Sequence, residues 1–310
     1  MNNGLFDASV WEKAWKEDPK AMANKFKAMG MNPHTSFDHK ADVFNEEVFS
    51  SAGRDRSERI IGWMEGQGAD FKGLTVLDVG AASGGFTVPF IERGAKVTAV
   101  EPNVPLAELF LKNTAGAAPG QVELVHEAFE NIDIASRGWL GAFDLVFVSM
   151  CPAVFDWEST EKVISCARQY CYISTSAGVQ EHSLMNEVLP LLTGREVHAE
   201  SSDMAYLTQL LYLKGYSYET IITREAKSKE LTLEAAAAEV MEMLPLHHLD
   251  GGEATRKVVT DYLHTAYPQQ QVVVRQGGRF GKVLIKLQDL NMYSRAAAGT
   301  SGKSADSVKR

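Results

Sequence analysis

The chain has 310 residues, 45% hydrophobic and 23% charged, which is ordinary globular composition and long enough for one large or two modest domains. Its formal net charge of −9 argues against broad electrostatic attraction to nucleic acid, and no apolar run approaches the length of a bilayer span. Three cysteines, Cys151, Cys166 and Cys171, make neither an even disulfide framework nor a metal-ligand spacing, so packed thiols and no metal are expected.

The start, MNNGLFDASVWEK, lacks a basic region followed by an apolar stretch and reads as that of a soluble, cytoplasmic protein. From there to about residue 70 the pattern is helical. Ser9 is placed to cap a helix carrying Trp11 and Trp15 on one face, Pro19 suits a new helix start, and Met22, Phe26 and Met29 line one side of that second helix. Lys13, Lys16, Lys20, Lys25 and Lys27 are interspersed with Glu12, Glu17 and Asp18, the pattern of a solvated helix face. A further helix from Arg54 to Gly66 offers Ile60, Ile61 and Met64 for burial, and Arg54, Arg56 and Arg59 for water or a ligand.

Strands and helices then alternate, the pattern of a parallel sheet covered on both faces. The expected strands are Thr75 to Val79, Lys96 to Val100, Val122 to His126, Phe143 to Ser149 and Tyr170 to Thr175, with residues 215 to 222 as a sixth. An added helical segment comes next. Thr232 can cap a helix with Leu233, Ala237, Val240, Met241 and Leu244 on one face, and Ala254, Val258, Tyr262 and Ala266 mark a second, stopped before Pro268. Gln271 to Leu287 reads as a hairpin around Gly277 and Gly278, and the tail from about Ser294 has no pattern able to bury itself.

The stretch Val76 to Thr87, VLDVGAASGGFT, organises the rest: a buried strand, then a cluster of small residues that turns into a helix. Glycines there let a ligand approach the backbone closely. The spacing of Gly80, Gly84 and Gly85 does not supply the G-x-G-x-x-G of a dinucleotide site. Glu101, at the end of the second strand and 21 residues beyond Gly80, is a carboxylate able to accept both hydroxyls of a ribose and to repel a 2′-phosphate.

Together these residues resemble the first motif of the class I S-adenosylmethionine-dependent methyltransferases, D/E-x-G-x-G-x-G. Asp78, Gly80 and Gly84 match it, and Ala82 replaces the middle glycine, a small departure that is passable where φ is negative. The resemblance implies a Rossmann-like α/β methyltransferase fold, with a mainly parallel seven-stranded sheet in the order 3-2-1-4-5-7-6 and an antiparallel last strand. It also implies S-adenosyl-L-methionine as cofactor, with S-adenosyl-L-homocysteine as product. The binding residues carried over are Asp78, Gly80, Ala81, Ala82 and Gly84 in the turn, Glu101 and Pro102 after the second strand, Glu127, Ala128 and Phe129 for adenine, and Ser149 after the fourth. Asn103 and Val104, directly after Pro102, could pack against the adenine face. Within the class a basic residue from the region of Arg54 to Arg59 sometimes meets the methionine carboxylate. The implied division is an N-terminal helical lid and substrate region (1–70), a binding core (71–224), a helical cap insertion (225–270), a final hairpin (271–290) and a flexible tail (291–310).

After the fourth strand the chain reads SMCPAVFDW, where exocyclic-amine methyltransferases carry D/N-P-P-Y/F, so the sequence counts against an adenine or glutamine nitrogen as acceptor. Methyl transfer from a sulfonium needs alignment and exclusion of water, with a general base only if the acceptor is protonated. His247 and His248 are the candidates for that base, with His182 and Asp203 behind them. The expected activity is methylation of a small-molecule acceptor by in-line displacement, with no nucleic acid or membrane partner and a possible homodimer through the helical additions. The alternatives are a SAM-binding sensor or partner subunit without turnover, and an RNA or protein methyltransferase.

Overall fold

A computed structural model describes residues 3–35, 37–194, 199–247 and 249–288. His248 and the tail from Ser294 lie outside the described residues. Helices come first: α1 (Ala8–Glu17), α2 (Met22–Ala28), α3 (Ala41–Phe49) and α4 (Ser51–Gly66). The cap of α1 is Asp7 rather than Ser9, since Asp7 Oδ1 accepts from the Ser9 amide at 3.0 Å. A carboxylate at that position satisfies an orphan N–H and also answers the positive end of the helix dipole.

The alternation continues with β1 (Thr75–Val79), α5 (Thr87–Glu92), β2 (Lys96–Val100), α6 (Val104–Asn113), β3 (Val122–Val125), β4 (Phe143–Ser149), α7 (Trp157–Cys166) and β5 (Ala167–His182). Then come α8 (Ser183–Thr193), β6 (Ala199–Ser201), α9 (Asp203–Leu213), β7 (Ser217–Thr232), α10 (Leu233–Met243), α11 (Glu253–Ala266) and β8 (Gln271–Lys286). The sheet order is β3-β2-β1-β4-β5-β8-β7, with the short β6 paired to the far part of β5. The first five strands run parallel and β8 lies antiparallel between β5 and β7. Leaving β6 aside, this is the expected 3-2-1-4-5-7-6.

Both faces of the central strands are buried, which is why they read as continuous apolar runs. Leu77, Val79, Val146, Val148 and Ile173 pack on one face with Trp157 and Val163 of α7 and Leu207 and Leu210 of α9. Val76, Leu145, Phe147 and Tyr172 pack on the other with Ile61 and Met64 of α4 and Phe90 of α5. Each such side chain contributes about 1.5–3 kcal/mol relative to exposure. Trp15 joins the first of these cores at 1% exposure, its Nε1 donating to Asp203 at 2.9 Å and its ring stacked on Tyr206. This anchors α1 beside α9.

The expected hairpin at Gly277 and Gly278 is instead one straight strand. Gly277 stands in register between Glu181 of β5 and Ala226 of β7, where an added Cβ would lie 2.2 Å from the Glu225 carbonyl oxygen. At Gly278 a Cβ would lie 2.3 Å from the Gln180 side chain. Both glycines admit close neighbours rather than turn the chain. The paired strands β7 and β8 run from Ser217 opposite Lys286 to Thr232 opposite Gln271, so β7 extends well past residue 222 and the helical addition sits at the far end of this ribbon. Thr232 caps α10 as expected, its hydroxyl accepting from the Ala235 amide at 3.2 Å. A separate core holds Leu184 and Val188 of α8, Leu233 and Val240 of α10, Val259 and Leu263 of α11, and Val272 and Val274 of β8. On α11 the buried stripe is Val259 and Leu263 rather than Val258 and Tyr262, because those two branched side chains, four apart, are the ones that meet α10 and α8.

Among the described residues no helix is long and apolar enough to cross a membrane.

Candidate functional site

A cavity of about 1090 Å³ lies over the carboxyl ends of β1, β2, β4 and β5, where open α/β sheets place ligands, and continues along the β7–β8 ribbon. Its outer wall comes from residues 33 to 53, including His34, Phe37, Phe44 and Val48.

The floor is the glycine-rich turn. Gly80 and Gly84 take φ of +74° and +93°, and Ala82 takes +48°, so the alanine occupies the left-handed region rather than the negative φ expected of it. That conformation costs an L-residue roughly 1–2 kcal/mol. What holds it is Glu101: Ala82 N donates to Glu101 Oε2 and Asn103 N donates to Glu101 Oε1, both at 2.8 Å. Three more turn amides are used internally, with Gly80 and Ala81 donating to the Val100 carbonyl and Gly84 to that of Ala81. The turn therefore offers a ligand an open surface with the Glu101 carboxylate oxygens beside it. Close packing is met from the protein side as well. A Cβ on Gly80 would lie 2.3 Å from Cys151 Sγ, and one on Gly85 would lie 2.2 Å from Val48.

Two buried carboxyls face this floor. Asp78, 2% exposed, accepts from Thr87 Oγ1 at 2.6 Å, and burial pushes its pKa up to about 7 with Glu101 adding to the rise. Glu101, 5% exposed, is also raised by burial, against the pull of the Asn103 and Ala82 amides. The Cys151 thiol is pushed up to about 12 by burial, in keeping with a protonated, packed thiol. Beside it Met150 has φ +53°, so two non-glycine residues held in a sparsely populated region flank the same cavity.

Around the cavity stand Asp78, Gly80, Ala81, Ala82, Glu101, Pro102, Phe129, Ser149 and His247. Gly84, Glu127 and Ala128 lie outside its lining: Gly84 backs onto Phe110, and Glu127 accepts from Arg137 at 2.6 Å. The acidic side chain after β3 that does line it is Glu130, whose Oε1 stands 2.7 Å from His34 Nε2. Ser149 Oγ lies 3.1 Å from Ser174 Oγ across β4 and β5.

His182 lines the cavity but is occupied at both ring nitrogens. Nδ1 accepts from the Met185 amide at 3.2 Å, capping α8, and Nε2 faces Glu239 at 2.8 Å. Asp203 lies outside the lining, 3% exposed, and accepts from Trp15, from the Met22 amide and from Ser201 Oγ. It is a structural anchor of the N-terminal helices. Of the three candidate arginines Arg56 and Arg59 line the cavity and Arg54 does not.

Sequence reasoning placed Asn103 near the ligand but missed its second role. Its Oδ1 caps α6 at Leu106 N, while Nδ2 donates to the His34 carbonyl at 2.8 Å and to Asp38 at 2.6 Å. The cap was legible, since Asn before Val-Pro is a helix-start signature. The tie to residues 34 and 38 was not.

Residues 76–171 match a family model described as a methyltransferase domain. No curated protein matches the sequence. Among solved structures, the chain is similar to the YcgJ protein from Bacillus subtilis, at 12% identity over 75% of this chain and 100% of that one, with a TM-score of 0.46. It is similar to magnesium protoporphyrin IX methyltransferase from Synechocystis PCC 6803, solved with bound SAM, at 14% identity over 72% and 93% of the two chains, with a TM-score of 0.40. It is also similar to a phosphoethanolamine N-methyltransferase from Haemonchus contortus, at 12% identity over 90% of this chain and 60% of that one, with a TM-score of 0.44. Likenesses at such identities and scores carry no information on reaction or ligand. The match to a methyltransferase domain spans β1 to the start of β5, within a sheet whose strand order is 3-2-1-4-5-7-6.

Proposed function

We propose that this chain transfers a methyl group from S-adenosylmethionine to a small-molecule acceptor held in the same cavity. The observation that carries the reading is Glu101. It is buried at the end of β2, and each carboxylate oxygen accepts one backbone amide, which leaves a lone pair on each for the two hydroxyls of a ribose. Pro102 and Phe129 line the cavity beside it and provide apolar surface for a flat ring. The cavity, at about 1090 Å³, stands at the top of the range of roughly 300–1,000 Å³ usual for single-ligand sites, which fits a cofactor together with an acceptor.

When bound, the cofactor supplies an activated methyl group on a sulfonium. The contribution of this chain is to orient and to exclude water. The wall from residue 33 to 53 acts as the lid, tied down by Asn103 to His34 and Asp38, by Asn113 to Asn45, and by Lys227 to Glu47. His247, which lines the cavity, is the candidate to take a proton where the acceptor carries one.

The test is calorimetric titration of S-adenosylhomocysteine into wild type and Glu101→Gln. Losing a charged acceptor removes about 1.5–3 kcal/mol, which is roughly 10- to 150-fold in affinity. Glutamine keeps one acceptor for the turn, so the melting temperature without ligand should move by only a few degrees. An unchanged dissociation constant would remove Glu101 from the ribose.

A further inference from the structure

We propose that the methyl acceptor carries an oxyanion, a carboxylate or a phosphate, received by Arg56, Arg59 and Lys282 at the ribbon side of the cavity. This rests on the methyl-transfer reading above and adds the charge of the second substrate to it.

The three cations come from two elements that the fold brings together over the reacting end of the sheet. Arg56 and Arg59 lie one turn apart on α4 and both line the cavity. Lys282 of β8 stands in register with Ser174 of β5, and Ser174 in turn is paired with Ser149 of β4. Lys282 is thus beside the carboxyl ends of the two strands at which methyl transfer is proposed. Its Nζ donates to Thr223 Oγ1 at 2.6 Å, a neutral acceptor. Burial holds the Lys282 pKa down, and Arg56 and Arg59 lower it further against the opposing effect of Glu225, so the cations sense one another across this space.

The local charge at the ribbon side, rather than that of the lining as a whole, bears on the sign of the acceptor. Glu130 faces His34 and Glu181 accepts from Arg224, while Asp78 and Glu101 are buried at the turn. At the ribbon side Arg56, Arg59, Lys227 and Lys282 then face Glu47 and Glu225, and Glu47 is already bonded to Lys227 at 2.7 Å. Four cations against two carboxylates leave two positive charges in excess. A sulfonium cofactor with its amine and carboxylate is itself net positive, so binding it cannot neutralise the excess even if one arginine takes its carboxylate. An acceptor bearing an oxyanion restores the balance, and a cationic acceptor would add to the repulsion. Arg56 also lies 5.9 Å from the Phe86 ring, which restrains its guanidinium at the cavity wall.

The experiment uses the full chain at low ionic strength, first titrated with S-adenosylhomocysteine and then, saturated with it, with inorganic phosphate, succinate and choline. Phosphate or succinate should bind the loaded wild type and choline should not. Lys282→Gln and, on a different element, Arg59→Gln should each weaken the anion about tenfold or more, and Lys282→Gln should leave S-adenosylhomocysteine affinity within about twofold. S-adenosylhomocysteine binding with no anion binding, or anion affinity equal in wild type and both variants, overturns this inference alone. No S-adenosylhomocysteine binding overturns the methyl-transfer reading and this inference with it.

Discussion

Asp78 is the residue whose chemistry departs furthest from its sequence position. It sits on β1 between Ala99 and Phe147, buried, with the Thr87 hydroxyl donating to it and its carboxyl pushed up from 3.8 to about 7. The folded chain therefore holds this proton more tightly than the unfolded chain does. Between about pH 4 and pH 7 the contribution of this group to stability falls as the pH rises, by up to about 1.4 kcal/mol per pH unit. Glu101 is shifted in the same direction and adds to the same slope. Asp78→Asn removes the titration and keeps the acceptor oxygen for Thr87. Its melting temperature should vary less than that of wild type across this window and lie above it near neutral pH, and parallel profiles would show that Asp78 remains ionised in the fold. At the same scale, the motif legible around Asp78, Gly80 and Gly84 did not reveal the backbone of Ala82. Its φ of +48° depends on a hydrogen bond from Ala82 N to a carboxylate 19 residues away, which no local pattern encodes.

At the scale of the element, the β7–β8 ribbon determines how far the cavity extends. Its 16-residue strands outrun the central sheet, carry α10 and α11 at their far end, and bring Lys227, Gln276 and Lys282 to the cavity. Gly277 is the point of closest approach. Gly277→Ala sets a Cβ against the Glu225 carbonyl and should destabilise the fold by about 1–3 kcal/mol in urea unfolding. Gly62→Ala, inside α4 where an added Cβ meets nothing within 4 Å, should instead stabilise by roughly 0.5–1 kcal/mol. Equal effects at the two sites would contradict the straight strand. A pair of adjacent glycines in an apolar run signals a turn and a tight crossing equally well. Only the backbones of β5 and β7 on either side distinguish the two.

At the scale of the whole molecule, the N-terminal helical segment divides in two. Helix α1 is fixed to α9 by Trp15 against Asp203 and Tyr206, whereas residues 33 to 53 are held over the cavity largely by side-chain hydrogen bonds at its rim. Adding S-adenosylhomocysteine should slow amide hydrogen exchange in residues 33 to 53 and leave α1 unchanged. Exchange that is identical with and without ligand would make that segment a fixed wall rather than a lid.

Sequence alone determined the sheet's parallel strands, the glycine-rich turn between β1 and α5, the acidic end of β2 and the cap at Thr232, because each is written in residues within a turn or a strand length of one another. The strand order came from the motif's family. Tertiary structure alone decided that β8 runs straight, that Asp203 anchors Trp15, that Glu127 turns to Arg137 while Glu130 faces the cavity, and that Arg56 and Lys282 share a wall. The physical reason is the same in each case. Contacts between residues far apart in the chain are set by how buried faces pack, and local periodicity says which face is buried but not what it meets.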